Sequence, residues 1–476
     1  MTMVSGFQTV VGLEVHVQLA TARKLFSPAR VRTGQPANTD LDAVDAGLPG
    51  ALPVLNPHAV RFAVRLGLAL GSEVSSSSAF ARKHYFYPDS PKGFQTSQGD
   101  EPIIVGGAVS FVVDDATGAS LSVPLIRAHL EEDAGKSVHD VDGTRLDLNR
   151  AGTALLEVVT APAMHSGEEA MRFFRALRSV VVALGICDGN LQEGSMRADA
   201  NVSVHRPGEP LGTRVELKNI NSPRFLHDAV EHEAARQRRL LLAGERIVQE
   251  TRLWDGEAGV SRSLRSKEDA PDYRFLTDPD LPRVVVTEAL RAAEQAALPE
   301  LPDARRRRYI EAWGLPPPQA AVLVDEAALT TMFEAACAHA VGRERLVANW
   351  LVNEVTGLGP DARVAPAALA RLVVLVDTGE VAGRDGKAVL RALTDGRDDV
   401  DAIVDAQGFR LASGADAEAA IKAHVVAVFA ENPTQVQQVK EGKDKVKGFL
   451  VGQVLKRAGK GVDPKVAQRL VDEALA

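Results

Sequence analysis

The chain reads as an α+β protein: a domain built on antiparallel sheet, then an all-helical region, then a small helical tail. Three observations carry that reading. Short segments that alternate apolar and polar residues, punctuated by Gly, Pro and Asn, fill the chain to about Pro282, the pattern of half-buried strands joined by turns. Only two helical patterns interrupt them. After Val284-Val285-Val286 the spacing of Ala, Leu, Arg and Glu becomes helical and stays so. With 476 residues and roughly 150 residues per domain, three domains are expected, here at 1–293, 294–405 and 406–476.

Taken in order, Leu13 to Leu19 places Glu14, His16 and Gln18 on one strand face and aliphatics on the other. The serine run Ser75 to Ser78 reads as a loop. From Arg82 to Gln98 basic residues interleave with aromatics and then a Pro/Gly turn with amides. That is a strand end with an exposed turn, or a surface that holds phosphates and stacks a base. Ile126 to Glu131 alternates, with Arg127, His129 and Glu131 on one side. Gly135-Lys136-Ser137 resembles the end of a P-loop, but the required glycine five positions earlier is Leu130, so no backbone cradle precedes the lysine. Ala134 to Ser137 is therefore read as a turn.

Ala154 to Val159 is an apolar strand with Glu157 inside it, where an unpartnered carboxylate would be costly. A helix then starts at the capping box Ser166-x-x-Glu169, is expected to bury Met171, Phe174, Leu177, Val181 and Leu184, and stops at Gly185. Met196 to His205 alternates without a break, opposing Arg197, Asp199, Asn201, Ser203 and His205 to Met196, Ala198, Ala200, Val202 and Val204. Arg214, Glu216 and Lys218 repeat the pattern. A second helix follows Ser222-Pro223 and ends near Gly244. Leu346 to Val352 and Ala365 to Leu375 are helical, Arg305 to Arg308 reads as a solvated helix face, and Ala415 to Ala476 carries a lysine cluster from Lys440 to Lys460.

Composition bounds the function. Hydrophobic content of 45% with 25% charged residues supports an ample globular core. A net charge of −8 argues against a uniformly basic surface gripping nucleic acid and leaves room for local basic patches. Cys187 and Cys337 lack partners at metal-ligand spacing and are expected to pack as small apolar residues. No signal sequence or bilayer-length apolar run is read, so a soluble, cytoplasmic protein with no membrane contact is expected.

Any single polar strand face here is explained by solvation alone. Their composition is less ordinary: Glu, His, Asn, Asp, Arg and Gln instead of the usual Lys, Glu and Thr. Glu14, Glu131 and Glu157 with His16 would make a hard-cation site of oxygens and one imidazole, suited to Mg²⁺ or Mn²⁺ holding phosphates. Solvated faces and a cation site both remain open on spacing alone.

Several motifs occur together in order: Gly12 to Leu19, Arg82 to Gly93, His129-Leu130-Glu131-Glu132-Asp133, Leu148 to Thr153 with Leu155-Leu156-Glu157, and Gln192 to Arg197 with Asp199 to Ser203. Lys218 to Ser222, Arg265-Ser266-Lys267-Glu268, Asp272-Tyr273-Arg274, Asn349-Trp350-Leu351, and Asn432-Pro433 through Lys447 to Gln453 follow. Nearly end to end, the chain resembles the B subunit of aspartyl/glutamyl-tRNA(Asn/Gln) amidotransferases. The resemblance implies a cradle domain similar in fold to glutamine synthetase, and a heterotrimer with an amidase (A) subunit and a small C subunit. It implies binding of misacylated Glu-tRNA(Gln) or Asp-tRNA(Asn), ATP-dependent phosphorylation of the side-chain carboxylate, and displacement of that phosphate by ammonia channelled from the amidase.

Carried onto this sequence, it implies Mg²⁺ on Glu14, His16, Glu131 and Glu157, which would also be the catalytic set. It implies ATP and the tRNA 3′ end near Lys83, Tyr85, Tyr87, Lys92, Gln95, Ser97, Asn149, Arg150, Glu193, Ser195, Arg197, Asp199, Asn201, Lys218 and Asn219. The tRNA body would meet Lys440, Lys443, Lys445 and Lys447. Many members carry paired cysteines early in the chain that look like a zinc site; Ser27, Ala29, Asp42 and Asp45 stand there, so no zinc is expected. Two other readings compete: a non-catalytic tRNA-binding scaffold of the same complex, and a free-standing metal-dependent ligase using ammonia.

Overall fold

The computed structural model describes residues 6–114, 116–266, 273–359, 362–394, 397–411, 415–441, 443, 446–459 and 462–475. Lys267, Glu268, Asp272, Gly442, Lys445 and Lys460, which the motifs above include, lie outside them. The chain forms two compact units, 1–307 and 308–476.

The first unit is organised by a sheet of thirteen strands among the described residues. Its main path uses β1 (Gln8–Gln18), β2 (Ala81–His84), β3 (Phe94–Ser97), β4 (Ala119–Glu132), β5 (Ala154–Thr160), β6 (Met196–His205), β7 (Val215–Ile220), β8 (Glu250–Asp255), β9 (Val260–Ser266) and β10 (Leu276–Thr277). Their spatial order is β9-β8-β7-β6-β1-β5-β4-β3-β2-β10. Every pairing along the path is antiparallel except β7 with β8, which is parallel. The sequence of β1 dictates which of its faces is buried. Val11, Leu13, Val15 and Val17 are wholly buried on one face, and burying one such side chain is worth about 1.5–3 kcal/mol.

Helices α1 (Pro57–Ala69), α2 (Gly167–Ala183) and α3 (Pro223–Leu242) pack on this sheet, so the strands are interrupted by a third helix, α1, where two were expected. Ser166 Oγ accepts from Glu169 N at 3.1 Å, while Glu169 Oε2 accepts from His165 N at 2.7 Å, so the start of α2 is capped from both sides. Its buried face is Ala170, Phe173, Phe174, Leu177 and Val181; Met171, expected inside, is half-buried because Phe173 takes the inward position. Ser222 Oγ caps α3 through Phe225 N at 3.1 Å, with Pro223 in the first turn.

Three local readings are corrected. Only 133–135 turns; Lys136–Asp140 is already a strand, paired with Gly143–Asp147 in a hairpin. Ser77 and Ser78 pair with Val285 and Val284 instead of forming a loop, because a buried valine, Val284, needs a partner strand. Arg305 to Arg308 is not a solvated row: only Arg307 is exposed, and Arg305 reaches Glu300 at 3.3 Å.

The second unit is helical throughout. One core gathers Tyr309, Phe333, Leu351, Leu369, Leu372 and Leu390, and its helix Glu344–Trp350 continues through a π-helical turn, Leu351–Val355. A separate core gathers Ile421, Val425, Leu450, Val454, Leu470 and Val471 from helices within 415–475. Cys187 and Cys337 are both buried thiols. Among the described residues no helix is long and apolar enough to cross a membrane.

Candidate functional site

Register across the sheet turns the sequence's alternation into rows. His16 pairs with Glu157 on one side and Arg197 on the other, and Glu157 pairs with His129. Residues directly opposite share a face, so Arg197, His16, Glu157 and His129 form one row across β6, β1, β5 and β4. A neighbouring row runs Asp199, Glu14, Val159, Arg127. On the other side lie Leu155, Glu131 and Ser97. A cavity of about 470 Å³ stands over these rows.

The ionisable side chains at its centre are largely buried. His16 Nε2 lies 3.4 Å from Glu131 Oε1 and 3.5 Å from Glu157 Oε2. One ligand atom from each of these three residues lies within 4.8 Å of the others. His129 Nε2 approaches the same Glu157 oxygen at 3.5 Å. Burial opposes charge on His16, Glu131 and Glu157, and their partners act against it. Burial alone would depress the His16 imidazole, but Glu157 and Glu131 outweigh it and raise its pKa. Glu131 is pushed up, chiefly by burial. Burial also works against Glu157, yet the two imidazoles prevail and hold it well below the usual carboxylate range.

Glu14 belongs to a second group with Asp199 and Glu216, again within 4.8 Å of one another. It accepts from Asn201 Nδ2 at 3.0 Å, and burial followed by the charge of Glu157 raises its pKa. Lys218 Nζ sits in this group, 2.6 Å from Asp199 and 2.8 Å from Glu216. Burial disfavours its charge, but the two carboxylates more than compensate and raise its pKa. Arg197 holds Asp133 through two contacts of 3.2 and 3.1 Å. Lys83 Nζ stands 4.7 Å over the Tyr273 ring. Glu14, His16, Lys83, Gln95, Ser97, Glu131, Glu157, Arg197, Asp199 and Lys218 thus line one cavity.

Other residues expected at the nucleotide or tRNA end stand elsewhere. Lys92 pairs with Glu132 and, with Tyr85, lines a separate small pocket. Tyr87 is exposed and packs edge-on against Tyr85 at 5.7 Å. Asn149 ties down the 36–40 loop through Asp40 N and Pro36 O. Arg150 donates to the carbonyls of Ala134 and Gly135. Glu193 accepts from Thr33 at 3.3 Å at the surface, and Ser195 is buried. Asn219 adopts a left-handed backbone, φ 68°, where the register of β7 against β6 shifts, and donates to Trp254 O on β8 at 3.2 Å, a conformation that asparagine tolerates. Lys440 and Lys443 are exposed in the second unit, whereas Lys447 pairs with Asp472 at 3.2 Å.

The sequence reading omitted His129, Arg127, Glu216 and Tyr273 from the site, although all four line the cavity. Two carried a usable signal: Arg127 and His129 share the strand face of Glu131. Ser27 and Asp45, at the positions without cysteine, join a buried cluster. Asp45 Oδ2 accepts from Ser27 Oγ at 2.9 Å and from Lys24 Nζ at 3.1 Å.

An α+β domain presenting carboxylates and imidazoles on one sheet face, with helical domains after it in sequence, matches a known class. Residues 9–292 fit the family model described as GatB/GatE catalytic domain, and residues 331–475 the one described as GatB domain. The chain is 48% identical to the B subunit of the aspartyl/glutamyl-tRNA(Asn/Gln) amidotransferase of Anaeromyxobacter dehalogenans (strain 2CP-C), over 99% of both chains. Proteins of the same name from Bordetella pertussis and Thioalkalivibrio sulfidiphilus are 45% and 44% identical, covering 99% and 98% of this chain and 100% and 99% of theirs. The chain belongs to the family of aspartyl/glutamyl-tRNA(Asn/Gln) amidotransferase B subunits.

Proposed function

We propose that this chain binds misacylated Glu-tRNA(Gln) or Asp-tRNA(Asn) and converts the esterified side-chain carboxylate to an amide, at the expense of ATP, in the cytoplasm. It would work in a heterotrimer with an amidase (A) subunit, which releases ammonia from glutamine into an internal channel, and a small C subunit. The first domain would be a cradle of the glutamine synthetase kind. The observation that supports this most is the single cavity where carboxylates, imidazoles and cationic side chains meet on a rigid sheet face.

The chemistry explains why such a face is needed. A carboxylate resists ammonia because oxide would have to leave. Transfer of the ATP γ-phosphoryl to a carboxylate oxygen gives an acyl phosphate and ADP. Ammonia then forms the C–N bond as the C–O bond to phosphate breaks, and inorganic phosphate departs. The donor set fits Mg²⁺: His16, Glu131 and Glu157 converge within 4.8 Å, and His16 Nδ1 is buried without a partner among the described residues. These three would hold the ion, with Glu14 in the adjacent carboxylate group. When bound, it would screen the approach of the two anions and orient the phosphates.

The side chains of this chain do the rest. Lys83, Arg127 and Arg214 line the cavity and supply positive charge toward the transferred phosphoryl. Glu14, whose pKa is raised, is suited to take the proton that the attacking ammonia sheds. Co-expression with A and C subunits, followed by amidation of Glu-tRNA and Asp-tRNA with ATP and glutamine, tests the proposal. E131Q and E157Q should each lower ATP-dependent phosphorylation of the charged tRNA at least ~100-fold while basal glutaminase activity persists. Amidation at wild-type rate by either variant would refute it.

A further inference from the structure

Among the residues in the central row, His129 has no role in the reading above. It does not join the three converging donors, yet its side chain is only 5% exposed. Burying an imidazole against two carboxylates is costly unless it bonds to them. Its Nε2 stands 3.5 Å from Glu157 Oε2 and 4.0 Å from Glu131 Oε2, and its Nδ1 is buried with no partner among the described residues. The cross-strand register places it directly opposite Glu157, so the β4–β5 ladder sets the two side chains next to each other on one face.

Glu157 is therefore held between two imidazoles, both aimed at the same carboxylate oxygen: His16 from β1 and His129 from β4. They are not equivalent. His16 belongs to the donor set that converges for a cation, and a ligating imidazole must present a bare nitrogen. Once His16 is so used, it no longer donates to Glu157. His129 is then the neighbouring donor left to orient that carboxylate.

We propose that His129 is a positioning residue: through Nε2–H it orients Glu157 for the divalent cation, and so sets the affinity of the site without ligating the ion. The proposal rests on the cation reading given above. Partners of this kind typically change metal affinity ~10–100-fold when removed. The imidazole is also well placed for that task because a ligating carboxylate with one oxygen anchored loses less freedom on binding.

The test uses the full chain in its complex and Mn²⁺ alone as probe, read by electron paramagnetic resonance titration without ATP or tRNA. H129A should weaken Mn²⁺ binding ~10–100-fold with the unfolding midpoint of the complex retained. H129Q, which keeps an N–H near the position of Nε2, should recover most of that loss. E157A should abolish binding. If H129A binds Mn²⁺ within about twofold of wild type while E157A does not bind, the positioning role is overturned and the cation site stands. If H129Q is as weak as H129A, the role as donor is likewise overturned. Unchanged binding by E157A would overturn both the site and the inference.

Discussion

At the scale of single residues, the unusual strand faces were the strongest signal in the sequence, and the reason is periodicity. A two-residue repeat assigns each side chain to a face without knowledge of the fold, so Glu14, His16, Glu131 and Glu157 could be named before any strand was paired. Their division into two groups could not, because it depends on register between strands more than a hundred residues apart. Local backbone roles were equally hidden: Asn219 and Asn149 look like binding amides, yet Asn219 links β7 to β8 and Asn149 ties down a loop. Nothing in the local sequence marks Lys24 as buried, yet it is among the largest wholly buried side chains. Burial raises the Asp45 carboxyl, with Lys24 and Ser27 opposing that rise. Removing the ammonium leaves a buried charge uncompensated, so K24M should cost about 3–5 kcal/mol. An unpartnered Asp45 would titrate still higher, so the deficit should be full at neutral pH and shrink as acid protonates it. Replacing both partners by apolar residues, K24M/D45L, should recover most of the loss. Urea unfolding at pH 7 and pH 4 measures both effects, and elemental analysis of the same preparations should return no stoichiometric zinc.

At the scale of elements, two serine-capped helices were readable, whereas α1, capped by Asn56 through His58 N, and the short strands were not. The Ser166 and Ser222 caps fixed two helix starts, because a cap is a local hydrogen bond. The Lys136–Asp140 strand and the Ser77–Ser78 pairing were misread, because two to five residues carry too little periodicity to outweigh turn-forming composition. The parallel β7–β8 pair has no local signature at all. Helix α4 (Glu288–Ala296) shows what holds an element once pairing is set. Glu294 is wholly buried there and meets Arg61 at 2.6 Å and Arg65 at 2.7 Å, both from α1. Burial opposes its ionisation, but bonds from the two guanidiniums win and lower its pKa. A lowered pKa means that the unfolded chain binds this proton more readily. The contribution is thus complete above the ordinary glutamate value of about 4.3 and lost as pH falls through the folded value. E294A should destabilise the first unit by about 3–5 kcal/mol at pH 7, with amide exchange in α4 accelerated most. The gap between variant and wild type should narrow below about pH 4; a gap independent of pH would show that packing, and not the ion pairs, secures the helix.

At the scale of the whole molecule, composition indicated two regimes, sheet first and helices after, while strand order was beyond reach. β1 lies between strands that follow it by more than a hundred residues, and nothing local specifies such partners. The resemblance supplied what physics could not: an ordered set of motifs spanning both units. Under the proposed function the overall charge of −8 becomes a constraint, since tRNA as a partner would have to be met by local cationic patches. Lys440 and Lys443, both exposed on the second unit, are the candidates carried from the resemblance, whereas Lys447 is already tied to Asp472. Each phosphate neutralised releases counterions, adding roughly 0.7–0.9 to the slope of log K against log salt. Removing two phosphate contacts through K440A/K443A should therefore reduce the tRNA-binding slope of the assembled complex by roughly 1–2 units. Affinity should fall alike for Glu-tRNA(Gln) and Asp-tRNA(Asn), because phosphate contacts carry no sequence information. The turnover rate at saturating tRNA should be unchanged, since neither lysine lines the cavity of the first unit. An unaltered salt slope would place the tRNA body on some other surface of the complex, and a lowered turnover rate at saturation would tie the tail to the chemistry itself.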